Sequence, residues 1–138
     1  MTAPEGGHVT TVDSHMSVRT SPGTAAVARD AVRKLLSRHR PAVSAGTLND
    51  ALLVTSELTT NALRHAGGIT VFGCVIRGER LEITVEDASD ALPTARPPDD
   101  PAVPGGHGWP MVCRLAVEVT VSALPGGGKR IRALLPLS

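Results

Sequence analysis

The segments of this chain that read as strands arrive in adjacent pairs around short turns. Ile69 to Ile76 is a mostly apolar run, followed by Arg77-Gly78-Glu79-Arg80 as its turn. Leu81 to Val85 then alternates, with Leu81, Ile83 and Val85 on one face. Val117 to Val121 and Arg130 to Leu135 form a second pair around Pro125-Gly126-Gly127-Gly128. Strands paired in this way predict hairpins and an α+β sandwich, not a doubly wound parallel sheet.

Helical periodicity supplies the other layer. Between Ala25 and His39, the residues Val27, Ala31, Val32, Leu35 and Leu36 recur at 3–4 spacing. Thr24 is the expected N-cap, after a Ser21-Pro22-Gly23 turn. Arg38, His39 and Arg40 supply cations at the C-terminal end, and Pro41 stops the helix. A second helix is expected to start at Thr47, with Asp50 in the capping-box position. Its stripe is Leu48, Ala51, Leu52, Thr55, Leu58, Thr59, Ala62 and Ala66, and Gly67-Gly68 ends it. A short third helix is expected from Gly108 to about Ala116. Residues 1–14 are polar, with Pro4 and Gly6-Gly7, and read as a flexible tail. Residues 15–20 predict an edge strand. Five of the 11 prolines lie between Pro93 and Pro104, with Asp90, Asp99 and Asp100 nearby. A connection this long is usually functional or disordered.

Composition removes several classes of function. The 138 residues suffice for one domain with its own core. No apolar run reaches the roughly 18 residues of a membrane span, and the N-terminus lacks a secretory pattern. A cytoplasmic location is therefore expected, with Cys74 and Cys113 reduced and buried. The net charge of +1 with no basic cluster argues against direct nucleic-acid binding. Phe72 and Trp109 are the only aromatic residues, so a ligand site must rely on polar groups, backbone amides and aliphatic walls.

Three segments carry candidate chemistry. On the second helix, Glu57, Asn61 and Arg64 fall within roughly 60° of one another, on the side opposite the stripe. A solvated face is the ordinary explanation. However, Leu53 and Val54 flank the group, and Asn is a poor residue for a helix interior. A carboxylate one turn from a carboxamide suits a hydrated divalent cation or an oriented hydroxyl. At a strand end, Asp87 within Val85-Glu86-Asp87-Ala88-Ser89 is either a turn former or an acceptor for an exocyclic amine. Gly105-Gly106-His107-Gly108 precedes a helix, where backbone amides can approach an anion.

Together and in this order, the three segments resemble the GHKL family of ATP-binding domains, shared by histidine kinases, Hsp90 chaperones, type II topoisomerases and anti-sigma serine kinases. Glu57 to His65 looks like the family's N box in its anti-sigma form. Asp87 with Ser89 resembles the first glycine box, and Gly106-His107-Gly108 the second, followed by Met111 and Val112. The resemblance spans residues 15–138. The family pattern carries Gly where Ser89 stands, and often Thr where Lys129 and Arg130 follow Gly128.

The resemblance implies a two-layer sandwich of the Bergerat type, with a mixed, mostly antiparallel sheet covered on one face by about three helices. It implies ATP and Mg²⁺ as cofactors. Asn61 would coordinate the magnesium, and Glu57 would be the general base or orient the attacking hydroxyl. Asp87 would accept the adenine amine. Gly106, His107 and Gly108 would meet the phosphates, and residues 88–104 would form an ATP lid. Arg64, His65 and Ser89 would lie near the nucleotide. The absence of a preceding dimerisation or phospho-acceptor segment favours a stand-alone anti-sigma kinase. Such a protein phosphorylates a Ser or Thr of a small antagonist protein and sequesters a sigma factor, and its relatives are commonly homodimers. The alternatives are a non-catalytic nucleotide-binding module and a detached histidine-kinase catalytic domain.

Overall fold

The computed structural model describes residues 8–12, 15–20, 25–65, 69–90 and 108–138. The expected cap at Thr24, the turn at 21–23 and the helix end at 66–68 lie outside these residues.

The element order is β1 (His8–Val12), β2 (His15–Thr20), α1 (Ala25–Ser37), α2 (Ala45–His65), β3 (Ile69–Arg77), β4 (Arg80–Asp87), α3 (Gly108–Leu115), β5 (Glu118–Ala123) and β6 (Lys129–Pro136). The six described strands form one sheet in the order β1-β2-β3-β4-β6-β5. The fold is α+β. Every pairing among the described strands is antiparallel, which corrects the expected mixed sheet. Both expected hairpins are present. Gly78 provides the positive φ of 60° that the first turn needs.

Two N-terminal expectations change. His8–Val12 lies within the expected tail but forms a strand, because β2 offers it an edge that its β-branched residues suit. Residues 15–20 are therefore a strand, but not the edge strand.

The core lies between the helices and one face of the sheet. Phe72 and Cys74 from β3, Leu81, Ile83 and Val85 from β4, and Ile131, Ala133 and Leu135 from β6 are all buried. They share a face because period-two alternation and the register align them: Leu81 opposes Leu135, Ile83 opposes Ala133 and Val85 opposes Ile131. On the opposite face, β4 and β6 are cross-linked by ion pairs. Glu86 accepts from Arg130 Nε at 2.9 Å, and Glu82 pairs with Arg132 at 2.9 Å.

Helix α1 buries Ala28, Val32, Leu35 and Leu36. Helix α2 lies across β3, β4 and β6 and also contacts α1 and α3. That placement explains why Val54 is buried as fully as the expected stripe, while neighbouring Leu53 stays exposed. Thr55 and Thr59 are buried without loss, because their hydroxyls donate to the carbonyls of Ala51 and Thr55, each at 2.7 Å. The N-cap of α2 is Ser44 rather than Thr47: Ser44 Oγ accepts from the Thr47 backbone N–H at 3.1 Å. On α3, Val112 points into the core and Cys113 is exposed, which corrects the expectation of two buried cysteines; Cys74 is buried. No helix among the described residues is long and apolar enough to cross a membrane.

Candidate functional site

The inward row of β4 runs Leu81, Ile83, Val85 and then Asp87, while the inward row of β6 starts at Lys129. The register places Asp87 directly opposite Lys129. Asp87 is 1% exposed and Lys129 is 4% exposed. Lys129 Nζ donates to Asp87 Oδ1 at 2.9 Å and to the Ser89 carbonyl at 3.4 Å. The Ser89 N–H donates to the same Oδ1 at 3.0 Å, in the manner of an Asx turn. One carboxylate oxygen thus holds both the β6 cation and the chain leaving β4.

The other oxygen, Asp87 Oδ2, is buried without a hydrogen-bond partner among the described residues. An unsatisfied buried acceptor costs about 1–3 kcal/mol, and more when charged. Such an atom at the end of an apolar row marks a place for a donor from outside the described residues.

Gly128 permits this arrangement. Its φ is 90°, and a Cβ there would collide with the carbonyl oxygen of Asp87 and stand 3.2 Å from Ala88 Cα. Its N–H donates to Asp90 Oδ1 at 2.8 Å, tying the start of the long connection to β6.

The second part of the site is on α2. Glu57 and Asn61 are both half-buried, one turn apart. The Glu57 side chain lies where a Cβ on Gly108 would stand, with its Cδ 2.6 Å from that position. Gly108 is buried and opens α3. The polar group on α2 is therefore not a simple solvated face. The Glu57 carboxylate packs at the start of α3, where the helix dipole favours negative charge. Helix α2 ends at His65, and Ile69, which opens β3, is registered against Asp87. The end of α2 is therefore only a few residues along the chain from the Asp87 end of the sheet.

The structure thus joins Asp87 with Ser89, and Glu57 with Gly108. Arg64 and His65 occupy the last turn of α2, with side chains outside the described set. Gly106, His107 and positions 91–104 of the expected lid also lie outside the described residues. In the sequence, Lys129 stands out only as a departure from the family pattern. Its alternation with Ile131, Ala133 and Leu135 was the signal that it faces inward. Among the described residues, no group of three or more His, Cys, Asp or Glu could hold a metal ion. A cation here would need ligands such as Asn61 together with a bound anion.

A family model for the histidine kinase-like ATPase domain matches residues 18–134. Among solved structures, the chain is similar to the EL346 blue-light-activated histidine kinase of Erythrobacter litoralis, at 22% identity and a TM-score of 0.52. That match covers 84% of this chain and 42% of the kinase. The chain is also similar to a structure of the histidine kinase domain from the same protein, at 21% identity and a TM-score of 0.52. Here 86% of this chain and 65% of the solved chain are covered. At these identities the likeness is one of fold. This chain spans less than two-thirds of either solved chain. No curated protein matches it.

Proposed function

The chain belongs to the histidine kinase-like ATPase domain family, and from that premise we propose that it is an ATP-binding regulator that phosphorylates a Ser or Thr of a small antagonist protein and sequesters a sigma factor. The observation that carries the nucleotide part is Asp87 Oδ2, a buried acceptor with no partner among the described residues. An exocyclic amine satisfies such an oxygen, and the family match makes the adenine amine the natural donor.

Among the described residues, Asp87, Asn61, Ser89 and Gly108 fit ATP and Mg²⁺. Asp87 would hold the base. Asn61 would hold the magnesium, which commonly takes only one or two protein ligands and completes its shell with phosphates and water. Gly108, which opens α3, would meet the phosphates together with Gly106 and His107, which precede it in the sequence, and Arg64, His65 and Ser89 would flank the nucleotide. Bound ATP with Mg²⁺ supplies the phosphoryl group and neutralises its charge. The chain's own residues position and deprotonate. Glu57 would take the proton of the attacking hydroxyl, and the bare Cα of Gly108 leaves room for that carboxylate. Positioning and electrostatics are most of what phosphoryl transfer requires.

The anti-sigma role rests on the form of the Glu57 to His65 segment. A second reading, a histidine-kinase catalytic domain acting on a separate His-bearing partner, is supported by the solved structures of similar fold being histidine kinases. Incubation with labelled ATP, Mg²⁺ and candidate partners separates the two. Acid-stable phosphate on the partner supports Ser/Thr transfer, and acid-labile phosphate supports His transfer. Nucleotide binding without any phosphoprotein would leave a non-catalytic module.

A further inference from the structure

Lys129 occupies an unusual position for a lysine. It starts the inward row of β6, it is 4% exposed, and its neighbours in that row are Ile131, Ala133 and Leu135. Lysine is almost never buried this deeply unless paired. An ammonium group has three N–H donors. Two are directed to Asp87 Oδ1 and the Ser89 carbonyl, at 2.9 and 3.4 Å, and the third has no acceptor among the described residues.

The spare donor of Lys129 and the spare acceptor of Asp87 belong to one ion pair, so they sit side by side. A free acceptor beside a free donor complements a ligand edge that carries a donor next to an acceptor, and an amine next to an unprotonated ring nitrogen is such an edge. Adenine presents that edge twice, because its 6-amine is flanked by both N1 and N7. A structural clasp alone would need only the Lys129–Asp87 contact and would leave both spare groups unexplained.

We propose that Lys129 is a base-reading residue, donating a hydrogen bond to the ring nitrogen beside the adenine amine while Asp87 Oδ2 accepts from the amine itself. The proposal deepens the nucleotide-binding reading and rests on it. It makes base recognition direct at both points and gives this chain its own selectivity element where the family pattern often has Thr.

The decisive measurement uses the wild-type protein, so it does not depend on any variant folding. Affinities for ATP, 1-deaza-ATP and 7-deaza-ATP are compared by calorimetric titration in Mg²⁺. A hydrogen bond to a charged donor predicts a loss of about ten- to hundredfold for one of the two deaza analogues and little change for the other. Lys129→Met should weaken ATP and lose the discrimination between ATP and the sensitive analogue. If wild type binds ATP but tolerates both deaza analogues equally well, Lys129 does not read the base, and the nucleotide-binding reading survives alone. If wild type does not bind ATP at all, that reading fails and takes this proposal with it. Discrimination that persists unchanged in Lys129→Met would assign the ring-nitrogen contact to another residue and overturn the proposal.

Discussion

Gly128→Ala tests whether the close approach of β6 to the end of β4 is built on the missing Cβ. Two costs add at this position. The φ of 90° is left-handed, and a residue with a Cβ loses about 1–2 kcal/mol in that region. The added methyl would also collide with the Asp87 carbonyl oxygen, and it has backbone neighbours at 3.2 and 3.3 Å, Ala88 Cα and Asp87 C. None of these atoms is a flexible side-chain tip, so the strands themselves must part. Overpacking of this kind costs a further 1–3 kcal/mol or so. The total expected loss is about 2–5 kcal/mol, a large share of the 5–15 kcal/mol that holds a domain together.

Gly127 provides the internal control. Its φ is 109°, and nothing lies within 4 Å of a Cβ built there. Gly127→Ala should therefore show the backbone cost alone, about 1–2 kcal/mol. Urea unfolding of both variants, analysed by linear extrapolation, reads the difference. Gly128→Ala should unfold at a lower urea concentration than Gly127→Ala, by an amount corresponding to about 1–3 kcal/mol. Equal midpoints for the two would refute the close-approach argument and leave only conformational strain.

Three further outcomes are expected. Lys129→Met should cost about 3–5 kcal/mol in urea unfolding, because it strands the buried Asp87 charge, and the double variant Lys129→Met/Asp87→Leu should recover most of that loss; strictly additive effects would contradict a coupled pair. Asn61→Ala should abolish Mg²⁺-dependent ATP binding in a calorimetric titration while leaving the circular dichroism and melting curve close to wild type, since the side chain is only half-buried and Ala favours helix; unchanged Mg²⁺ dependence would remove Asn61 from the metal. Gly108→Ala should push aside the Glu57 carboxylate, a flexible tip that moves cheaply, so stability should change little while phosphoryl transfer falls on the order of a hundredfold; a normal transfer rate would show that Glu57 need not sit at the start of α3.

Much of the architecture is legible because it follows from local chemistry. Gly78 and Gly126 to Gly128 announce their hairpins through the positive φ those turns require. The stripes of α1 and α2 follow from helical spacing. The misreadings occur where tertiary partners decide. His8–Val12 is a strand because β2 offers it an edge, which composition does not reveal. Ser44 and Thr47 are both capping residues three positions apart, and the choice between them depends on where the backbone turns. Val54 is buried because helices pack on α2 as well as the sheet. In the site, Glu57 and Asn61 were legible because one helix fixes their spacing. The Lys129–Asp87 pair was not, since its members are 42 residues apart and meet only through the register of two strands.

That register ties stability to the site. A one-residue slip between β4 and β6 would turn the other row of a strand inward. If β6 slipped, Arg130 and Arg132 would exchange places with Lys129 and Ile131 relative to β4, and the cross-links of Arg130 to Glu86 and Arg132 to Glu82 would be lost with the core contacts. The apolar pairs Leu81–Leu135, Ile83–Ala133 and Val85–Ile131 forbid this, because a slip would expose three buried side chains on a strand. Ile131 and Leu135 are each worth about 1.5–3 kcal/mol when buried, and Ala133 less. The next step along the same ladder is Asp87 against Lys129. The core residues that hold the sheet together therefore also place the ion pair. The cost of burying an aspartate with a spare acceptor is borne by the apolar ladder leading up to it.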